Sequence, residues 1–288
     1  MNITEMPACG LFYDVSFENY TDWPAANFSK IKAIRGTASK CKYAIDVPKE
    51  QTTAMMLGTA LHIATLEPGR FEGMFHICAP CDRRTKEGKE LYESECRKAA
   101  GKIIIREGAE SLGEVERVRG MAKSIHNLKS AERFLSGLGR NEVSMLWKDV
   151  ETGMYCKGRM DRLIENFPEL NVPVIVEIKS TKNANAWGFG RDTDTMSYAA
   201  QAANYVAGYK AITGKTALHV FLTVESFAPF DAAVFTLDDE SLQTGLLQYR
   251  QMLTRYSECV KTGSWPGYVD EVQILSMPKY AHDKNYDI

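Results

Sequence analysis

One segment, Val172 to Thr181 with the sequence VPVIVEIKST, constrains the fold of this chain most strongly. Its β-branched residues predict a strand inside a core, because branched side chains pack well on a pleated sheet. The strand nevertheless ends in Glu177 and Lys179, which share one face because side chains alternate with a period of two residues. An acid and an amine at the end of a core strand indicate a chemically functional edge of a sheet.

The residues around this strand also show a strand-like pattern. Residues 141–166 alternate in hydrophobicity around a turn signal, which predicts two antiparallel strands. A loop with Gly188 and Gly190 is expected after VPVIVEIKST, and then a helix capped by Asp194 and ended by Gly214. Two further strands, ALHVFLTVES and FDAAVFTLD, and a C-terminal amphipathic helix complete the pattern.

The first part of the chain is mainly helical in pattern. A helix capped by Asn27 or Ser29 is expected to run to about Ile34. The segment TAMMLGTALHIATLEPGRF predicts a buried helix ended by Pro68 and Gly69. Two charged helical runs follow, separated by IIIREG, and their charges are typical of a solvated face.

These patterns predict an α/β fold with a central mixed sheet and helices on both faces. We expect one domain over residues 1–288, with a mainly helical part in 1–140 and the sheet with its flanking helices in 141–288. Of the 288 residues, 44% are hydrophobic and 25% charged, as in ordinary globular proteins. There is no apolar run of about 18 residues and no signal-peptide pattern at the N-terminus, so we expect a cytoplasmic protein without a membrane partner.

The seven cysteines are scattered and odd in number, which favours reduced thiols over a disulfide framework. Cys78 and Cys81 are close in sequence, but no second pair or histidine follows at zinc-site spacing. The net charge of −2 gives no global basic field, so a polyanion would need a local basic patch. The segment DRRTKEGK, with Arg83, Arg84 and Lys86, is dense enough in cations to contact phosphates.

Asp161 lies on the strand before VPVIVEIKST, so hairpin pairing brings it close to Glu177. Two neighbouring carboxylates repel each other unless a cation lies between them. Mg²⁺ and Mn²⁺ prefer such hard oxygen ligands and leave coordination positions for a phosphate and a water. Lys179 could orient the attacking water and offset the charge that develops on the phosphate. A Glu–Lys pair alone is also common on strand ends, and it is the surrounding residues that favour a site.

Four short motifs, LGTALH, KGRMDR, EIKST and QAANY, resemble the G-x-x-x-H, G-x-x-D-R, (D/E)-x-K and Q-x-x-x-Y series of the RecB-like branch of the PD-(D/E)XK nuclease superfamily. Over about residues 20–280, including SKIKAIRGTASKCKYAI, DRRTKEGK and GSWPGY, the chain resembles RecE-type exonucleases (exodeoxyribonuclease VIII). The resemblance implies a restriction-endonuclease-like core and Mg²⁺- or Mn²⁺-dependent hydrolysis of linear double-stranded DNA. It also implies 5′ to 3′ polarity, leaving 3′ tails for a single-strand annealing protein in phage-type recombination.

The resemblance assigns roles to individual positions. The implied metal ligands are His62, Asp161, Glu177 and the backbone carbonyl of Ile178. The implied catalytic lysine is Lys179, and the residues that would brace the site or contact DNA are Gln201 and Tyr205. Many relatives have aspartate where this chain has Glu177, and we expect the longer side chain to alter metal preference more than reaction type.

Two positions keep an alternative interpretation. His62 is either a ligand or a histidine satisfied within the core, and Gly58 one turn earlier would permit close backbone approach. Glu142 matches an acidic position in some relatives and either supports the metal site or is a surface acid. An iron–sulfur cluster, found in some relatives, is not expected because only Cys259 lies near the C-terminus.

The expected DNA contacts lie in two further places. Arg35 and Ser39 could bind a terminal phosphate, although Arg35 could instead pair with a surface acid. Arg159 and Arg162 flank Asp161 and could contact the DNA backbone, with a salt bridge to Glu165 as the alternative. A ring-shaped homo-oligomer with its basic loops toward a central channel would reconcile the net charge with a DNA substrate.

Two other functions remain compatible with these patterns. An endonuclease of the same fold would cut internally and would therefore also cleave closed circular DNA. A non-catalytic DNA-binding protein could have kept the fold. Retention of Asp161, Glu177 and Lys179 argues against that second alternative.

Overall fold

The computed structural model describes residues 6–47, 51–108 and 112–278. Within them, the strands are β1 (Gly10–Phe12), β2 (Ala26–Asn27), β3 (Phe75–Cys78), β4 (Ile103–Arg106), β5 (Arg140–Lys148), β6 (Tyr155–Phe167), β7 (Val172–Thr181), β8 (Leu218–Glu225) and β9 (Ala232–Thr236). The helices are α1 (Phe17–Asp22), α2 (Phe28–Ile31), α3 (Ala38–Asp46), α4 (Thr53–Leu66), α5 (Phe71–Met74), α6 (Lys86–Ala99), α7 (Glu114–Asn127), α8 (Lys129–Leu135), α9 (Ala186–Thr195), α10 (Tyr198–Thr213) and α11 (Asp239–Thr262). Two 3₁₀ helices cover Lys32–Arg35 and Pro68–Arg70.

In the described residues the central sheet has seven strands, in the order β1-β5-β6-β7-β8-β9, with β2 paired to β6. The pairs β5–β6, β6–β7 and β8–β9 are antiparallel, whereas β7–β8 is parallel. The sheet is therefore mixed, as the sequence predicted. The parallel pair places the carboxyl ends of β7 and β8 at the same edge.

Two hydrophobic cores cover the two faces of this sheet. One contains Leu61 of α4 and Val118 of α7 packed on Val176 of β7. The other contains Ile175 of β7 together with Tyr249 of α11, and side chains of α2, α3 and α10. The expected helices on both faces are confirmed, because consecutive residues of β7 bury into opposite cores.

The two hairpin strands and VPVIVEIKST form β5, β6 and β7 as predicted, and α4 and α11 also match their predictions. Asn27 caps α2 by accepting a hydrogen bond from the Lys30 amide at 2.9 Å. The helix then tightens into the 3₁₀ turn Lys32–Arg35, so the expected helix to Ile34 is split in two.

The predicted loop containing Gly188 and Gly190 is wrong, because both lie within α9. Gly188 packs against Asn183 so closely that a Cβ would lie 2.6 Å from the Asn183 side chain, so this glycine serves close packing. Asp194 consequently lies inside α9 and does not cap the next helix. That helix, α10, begins after Ser197 and ends at Gly214 as predicted.

The N-terminal part contains more strand than the sequence predicted. Its IIIR segment forms β4, which pairs in parallel with β3 in a separate two-stranded sheet. Strand β1 also joins the central sheet beside β5. Both pieces are short, and an apolar run of two or three residues does not distinguish a strand from a linker or a helix end.

Candidate active site

The candidate site lies where β6 and β7 separate. Their paired register reaches Arg162 and Val176, and Asp161 and Glu177 each lie one residue beyond that pair. The Ile178 amide donates a 2.7 Å hydrogen bond to Oδ2 of Asp161. An aspartate side chain thus replaces the backbone acceptor that a continued ladder would supply, which fixes its carboxylate at the opening between the strands.

His62 of α4 reaches this opening from the neighbouring layer. Its Nδ1 lies 3.3 Å from Oδ1 of Asp161, and its Nε2 lies 3.1 Å from the carbonyl oxygen of Ile178. Burial lowers the pKa of His62, but the Asp161 carboxylate outweighs burial and raises it to about 9. Burial would raise the pKa of Asp161, but His62 and Lys179 outweigh it and the pKa falls below its usual value. The two groups therefore stabilise each other as an ion pair.

Glu142 of β5 is the third member of this cluster. Ligand-type atoms of His62, Glu142 and Asp161 lie within 4.8 Å of one another. Glu142 has a φ of 55°, a left-handed conformation inside a strand. Such a conformation costs about 1–3 kcal/mol for a residue with a side chain, and strain of this kind is concentrated at functional sites. The left-handed backbone conformation turns the Glu142 side chain toward His62 and Asp161.

Arg159 of β6 holds Glu142 in place. Its Nε donates to Oε2 of Glu142 at 2.6 Å, and a second nitrogen donates to the Val15 carbonyl at 2.8 Å. Burial and the nearby Asp161 raise the pKa of Glu142, while Arg159 opposes that rise. Arg159 thus sits beside the site, with its Nε and Nη1 donors bonded to the protein.

Glu177 and Lys179 form a second part of the site. Lys179 Nζ donates to Oε1 of Glu177 at 2.6 Å, and Gln201 of α10 donates to the same oxygen at 3.0 Å. Among the described residues, the other oxygen, Oε2, has no hydrogen-bond partner although Glu177 is only 3% exposed. Burial and Asp161 raise the pKa of Glu177 to about 7. Burial lowers the pKa of Lys179, but Glu177 and Asp161 outweigh it and raise it.

Residues of α10 support this second part. Gln201 lies 3.3 Å from the hydroxyl of Tyr205, which donates to the Arg159 carbonyl at 3.0 Å. The ammonium of Lys179 lies 5.0 Å from the centre of the Tyr198 ring. Tyr198 was not singled out from sequence, although it precedes QAANY by one helical turn and shares its face.

The residues present fit a divalent metal ion. Glu142 and Asp161 provide carboxylate oxygens and His62 an imidazole within one small cluster, while Glu177 adds a buried oxygen without a partner among the described residues. Oxygen-rich sets of this kind suit Mg²⁺ or Mn²⁺, and an imidazole is also acceptable to Mn²⁺. An unsatisfied buried carboxylate oxygen is costly, so a cation at this position would stabilise the site.

The predicted residues are brought together only in part. His62, Asp161, Glu177, Ile178, Lys179, Gln201 and Tyr205 all lie in this connected set. Glu142, expected as a supporting residue, lies in the ligand cluster itself. A sequence signal for that placement is weak, because it depends on one strained backbone torsion.

The expected DNA contacts are dispersed. Arg35 donates to Asp194 and Ser197, which matches the alternative of pairing with a surface acid. Ser39 lies 3.0 Å from the Thr37 hydroxyl. The remaining basic residues lie on and before α6, where Arg84 pairs with Asp82, Arg83 stacks on Tyr92 and Lys86 lies 3.9 Å from Glu90.

Arg162 requires a correction. It is 5% exposed and donates to the carbonyls of Phe134 and Gly139 and to the Asn141 side chain. Its guanidinium therefore braces the segment after α8, and burial excludes the DNA contact expected from sequence. The alternative salt bridges to Glu165 are not formed by Arg159 or Arg162, since Glu165 instead accepts from Tyr13 at 2.8 Å.

The mixed sheet with its acidic opening defines a fold of the PD-(D/E)XK type. The model of a family described as a PDDEXK-like domain of unknown function, DUF3799, matches residues 27–278, and the chain belongs to this family. A crystal structure of a protein from Eubacterium rectale, provisionally named an exonuclease, is similar with a TM-score of 0.61. Sequence identity is 15%, over 96% of this chain and 100% of that chain, so the likeness shows the fold.

The structure of SSO0001 aligns with a TM-score of 0.29 at 11% identity, over 74% of this chain and 81% of its own. No curated protein matches the chain in sequence. Of the helices in the described ranges, none combines the length and hydrophobicity that a bilayer span needs.

Proposed function

We propose that this chain is a metal-dependent deoxyribonuclease that degrades linear double-stranded DNA. The observation that carries the proposal is the cluster of His62, Glu142 and Asp161 beside the Glu177–Lys179 pair. Membership in a PDDEXK-like family supports the reaction class. The resemblance to RecE-type exonucleases supports the finer assignment, which is digestion from the 5′ end to leave 3′ tails for recombination.

Each group of the site has a distinct task in this proposal. His62, Glu142 and Asp161 would hold a divalent ion, with Mg²⁺ or Mn²⁺ as the expected metal. The ion, when bound, would supply Lewis-acid stabilisation of the phosphate and activation of the attacking water. Arg159 and the Ile178 amide keep the carboxylates of Glu142 and Asp161 in fixed positions.

Lys179 and Glu177 would act on the reacting groups. Oε2 of Glu177 is free to bind the cation or to accept a hydrogen from the attacking water. Lys179 stays charged beside Glu177 and offsets the negative charge that develops on the phosphate. Gln201 and Tyr205 fix the orientation of Glu177 from α10.

The test is digestion of a linear duplex that carries a label at either its 5′ or its 3′ end, with Mg²⁺ or with EDTA. We expect early release of the 5′ label, and none in EDTA. Covalently closed circular DNA in the same reaction separates exonuclease from endonuclease, because only an endonuclease cuts it. An intact linear duplex in the presence of Mg²⁺ or Mn²⁺ would refute the proposal.

We further propose that the active form is a ring-shaped homo-oligomer that supplies 3′ tails to a single-strand annealing protein. The support is the charge balance: a chain with net charge −2 must still gather enough cations around a polyanion. Light scattering tests the assembly, and a monomeric mass across micromolar concentrations would contradict it.

A further inference from the structure

Two exposed aromatic side chains lie at the edge of the sheet that carries the candidate catalytic groups. Trp187, in the first turn of α9, is 71% exposed, and Phe227, in the loop after β8, is 59% exposed. Strands β7 and β8 run parallel, and their last pair is Thr181 with Glu225. Both rings therefore follow strand ends that lie side by side.

The backbone around these rings is held by hydrogen bonds. The Ser226 amide donates to the Thr181 carbonyl at 2.8 Å, and the Ala184 amide donates to the Glu225 side chain at 3.0 Å. Thr181 also donates to Asp192 of α9 at 2.6 Å. This frame begins two residues after Lys179, so the rings are attached to the same strand as the catalytic lysine of the proposed function.

Each ring is accompanied by an arginine. The guanidinium of Arg191 lies 4.9 Å from the centre of the Trp187 ring, and that of Arg117 lies 4.9 Å from the centre of the Phe227 ring. Arg117 also donates to the Ser226 carbonyl at 3.0 Å, which fixes it beside the loop.

The printed contacts of these two arginines are with a ring each and, for Arg117, with the Ser226 carbonyl. Within the described residues, no salt bridge joins Arg117, Arg191 or the exposed Lys182 to a carboxylate. Arginine and aromatic rings together are the combination that binds unpaired nucleotides, because rings stack on bases while cations attract phosphates.

We propose that Trp187 and Phe227 form a stacking platform for unpaired bases of the DNA strand at the catalytic edge, with Arg117, Lys182 and Arg191 attracting its phosphates. This inference rests on the proposed function, since it names the form of DNA that the site receives. Bases inside a duplex already stack on their neighbours, so exposed rings bind only a strand whose bases are separated. Stacking also tolerates every base, as a nuclease without sequence preference requires.

The test measures binding separately from cleavage. The parent protein for binding is Lys179→Ala without divalent metal, and the probe is a fluorescein-labelled single-stranded oligo(dT) of about 12 nucleotides, a length within the site sizes of single-strand binding folds. We expect Trp187→Ala and Phe227→Ala each to weaken binding about tenfold, because each removes the ring on which one base stacks. Trp187→Phe should stay within about threefold of the parent, because it keeps an aromatic face.

Two controls make the result specific. Tyr43→Ala removes a similarly exposed ring (68%) from α3, and it should leave oligo(dT) binding unchanged. Blunt duplex binding should change less than threefold in the Trp187 and Phe227 variants, because paired bases do not reach the rings. Unchanged melting temperatures would verify that all variants are folded.

The possible results separate this inference from the proposed function. If the wild type digests linear duplex but the alanine variants bind oligo(dT) as tightly as the parent, the platform is wrong and the nuclease assignment stands. If binding depends on Trp187 and Phe227 but no DNA is digested, the platform stands and the nuclease assignment is wrong. Failure of the parent to bind oligo(dT) would also overturn the platform.

Discussion

Two lysines of the central sheet have contrasting partners. Lys157 of β6 is 1% exposed, and its ammonium donates three 2.8 Å hydrogen bonds to backbone carbonyls in residues 20–23. Lys179 of β7 donates instead to Glu177, whose second oxygen has no partner in the described part of the chain. The ammonium of Lys157 thus satisfies backbone carbonyls. The ammonium of Lys179 instead pairs with a carboxylate that keeps one oxygen without a hydrogen bond among the described residues.

The contrast shows how to separate a structural charge from a functional one. The carbonyls that Lys157 satisfies lie at the end of α1, where a helix leaves acceptors without intrahelical partners. The pKa values of Lys179, Glu177, Asp161 and His62 are shifted by one another, and mutual shifts of this kind are concentrated at functional sites. Loss of Lys157 should therefore affect unfolding, and loss of Lys179 should affect reaction.

The largest expected effect is that of Lys179→Ala on DNA cleavage. Loss of the ammonium removes stabilisation of charge in the transition state, and we expect kcat to fall by about 10³-fold. The free energy of unfolding should change little, because Glu177 then loses one partner but also gains a proton more easily. The measurements are the initial digestion rate with Mg²⁺ and urea unfolding. Activity of the variant within a few-fold of wild type would contradict a functional role for Lys179.

The matched change, Lys157→Met, should act on stability. Methionine keeps the apolar volume but leaves three carbonyls without their donor, so we expect unfolding to become easier by about 3 kcal/mol. Cleavage by the folded fraction should stay within about threefold of wild type, since Lys157 contacts α1 and not the ligand cluster. An equal loss of activity in both lysine variants, at matched folded fraction, would show that the distinction is false.

Much of the candidate site around Lys179 could be predicted from the sequence. Period-two alternation identified β5, β6 and β7, and strand pairing then placed Asp161 next to Glu177 because hairpin partners are local in sequence. The helix bearing His62 was also identifiable from its apolar pattern. The contact between His62 and the Ile178 carbonyl joins residues far apart in the chain. The motif resemblance suggested this contact, whereas the local sequence pattern did not.

The structural roles of Lys157 and Arg162 could not be predicted from the sequence. Lys157 and Arg162 both belong to the motif KGRMDR. Lys157 donates to carbonyls at the end of α1, and Arg162 donates to carbonyls at and after the end of α8. Apart from the Asn141 side chain, which accepts from Arg162, their partners are backbone carbonyls, which every sequence offers. The left-handed conformation of Glu142 could not be predicted for a related reason. A positive φ in a non-glycine residue depends on the tertiary contacts that sustain it.

A smaller effect is expected from the strained Glu142. Glu142→Ala and Glu142→Gly both remove the carboxylate and leave Arg159 without its partner, so their difference isolates the backbone. Because glycine adopts a φ of 55° without penalty, we expect Glu142→Gly to be more stable than Glu142→Ala by about 1 kcal/mol. Urea unfolding measures the difference.

The same pair of variants tests the ligand role of Glu142. Both should bind Mn²⁺ more weakly than wild type, by about tenfold or more, since a ligand is lost. Calorimetric titration with Mn²⁺ alone measures this without DNA. Wild-type affinity in both variants would restrict Glu142 to a supporting position.

The smallest expected effect is a difference in the pH dependence of stability. Burial, and then the nearby Lys30, lower the pKa of Lys157 from 10.5 to about 8. Between these values the unfolded chain binds more protons than the folded protein, so Lys157 makes the free energy of unfolding rise with pH from about 8 to 10.5. Lys179 has a raised pKa and contributes with the opposite sign, because its stabilisation is lost as the pH rises above its unfolded value.

Subtracting the unfolding curves of wild type and Lys157→Met over this range isolates Lys157, because all other titrations cancel. We expect the wild type to gain stability relative to the variant as the pH rises. A difference that stays flat would mean that the three carbonyls hold the ammonium charged throughout, in which case both lysines keep their proton and the contrast between them lies only in their partners.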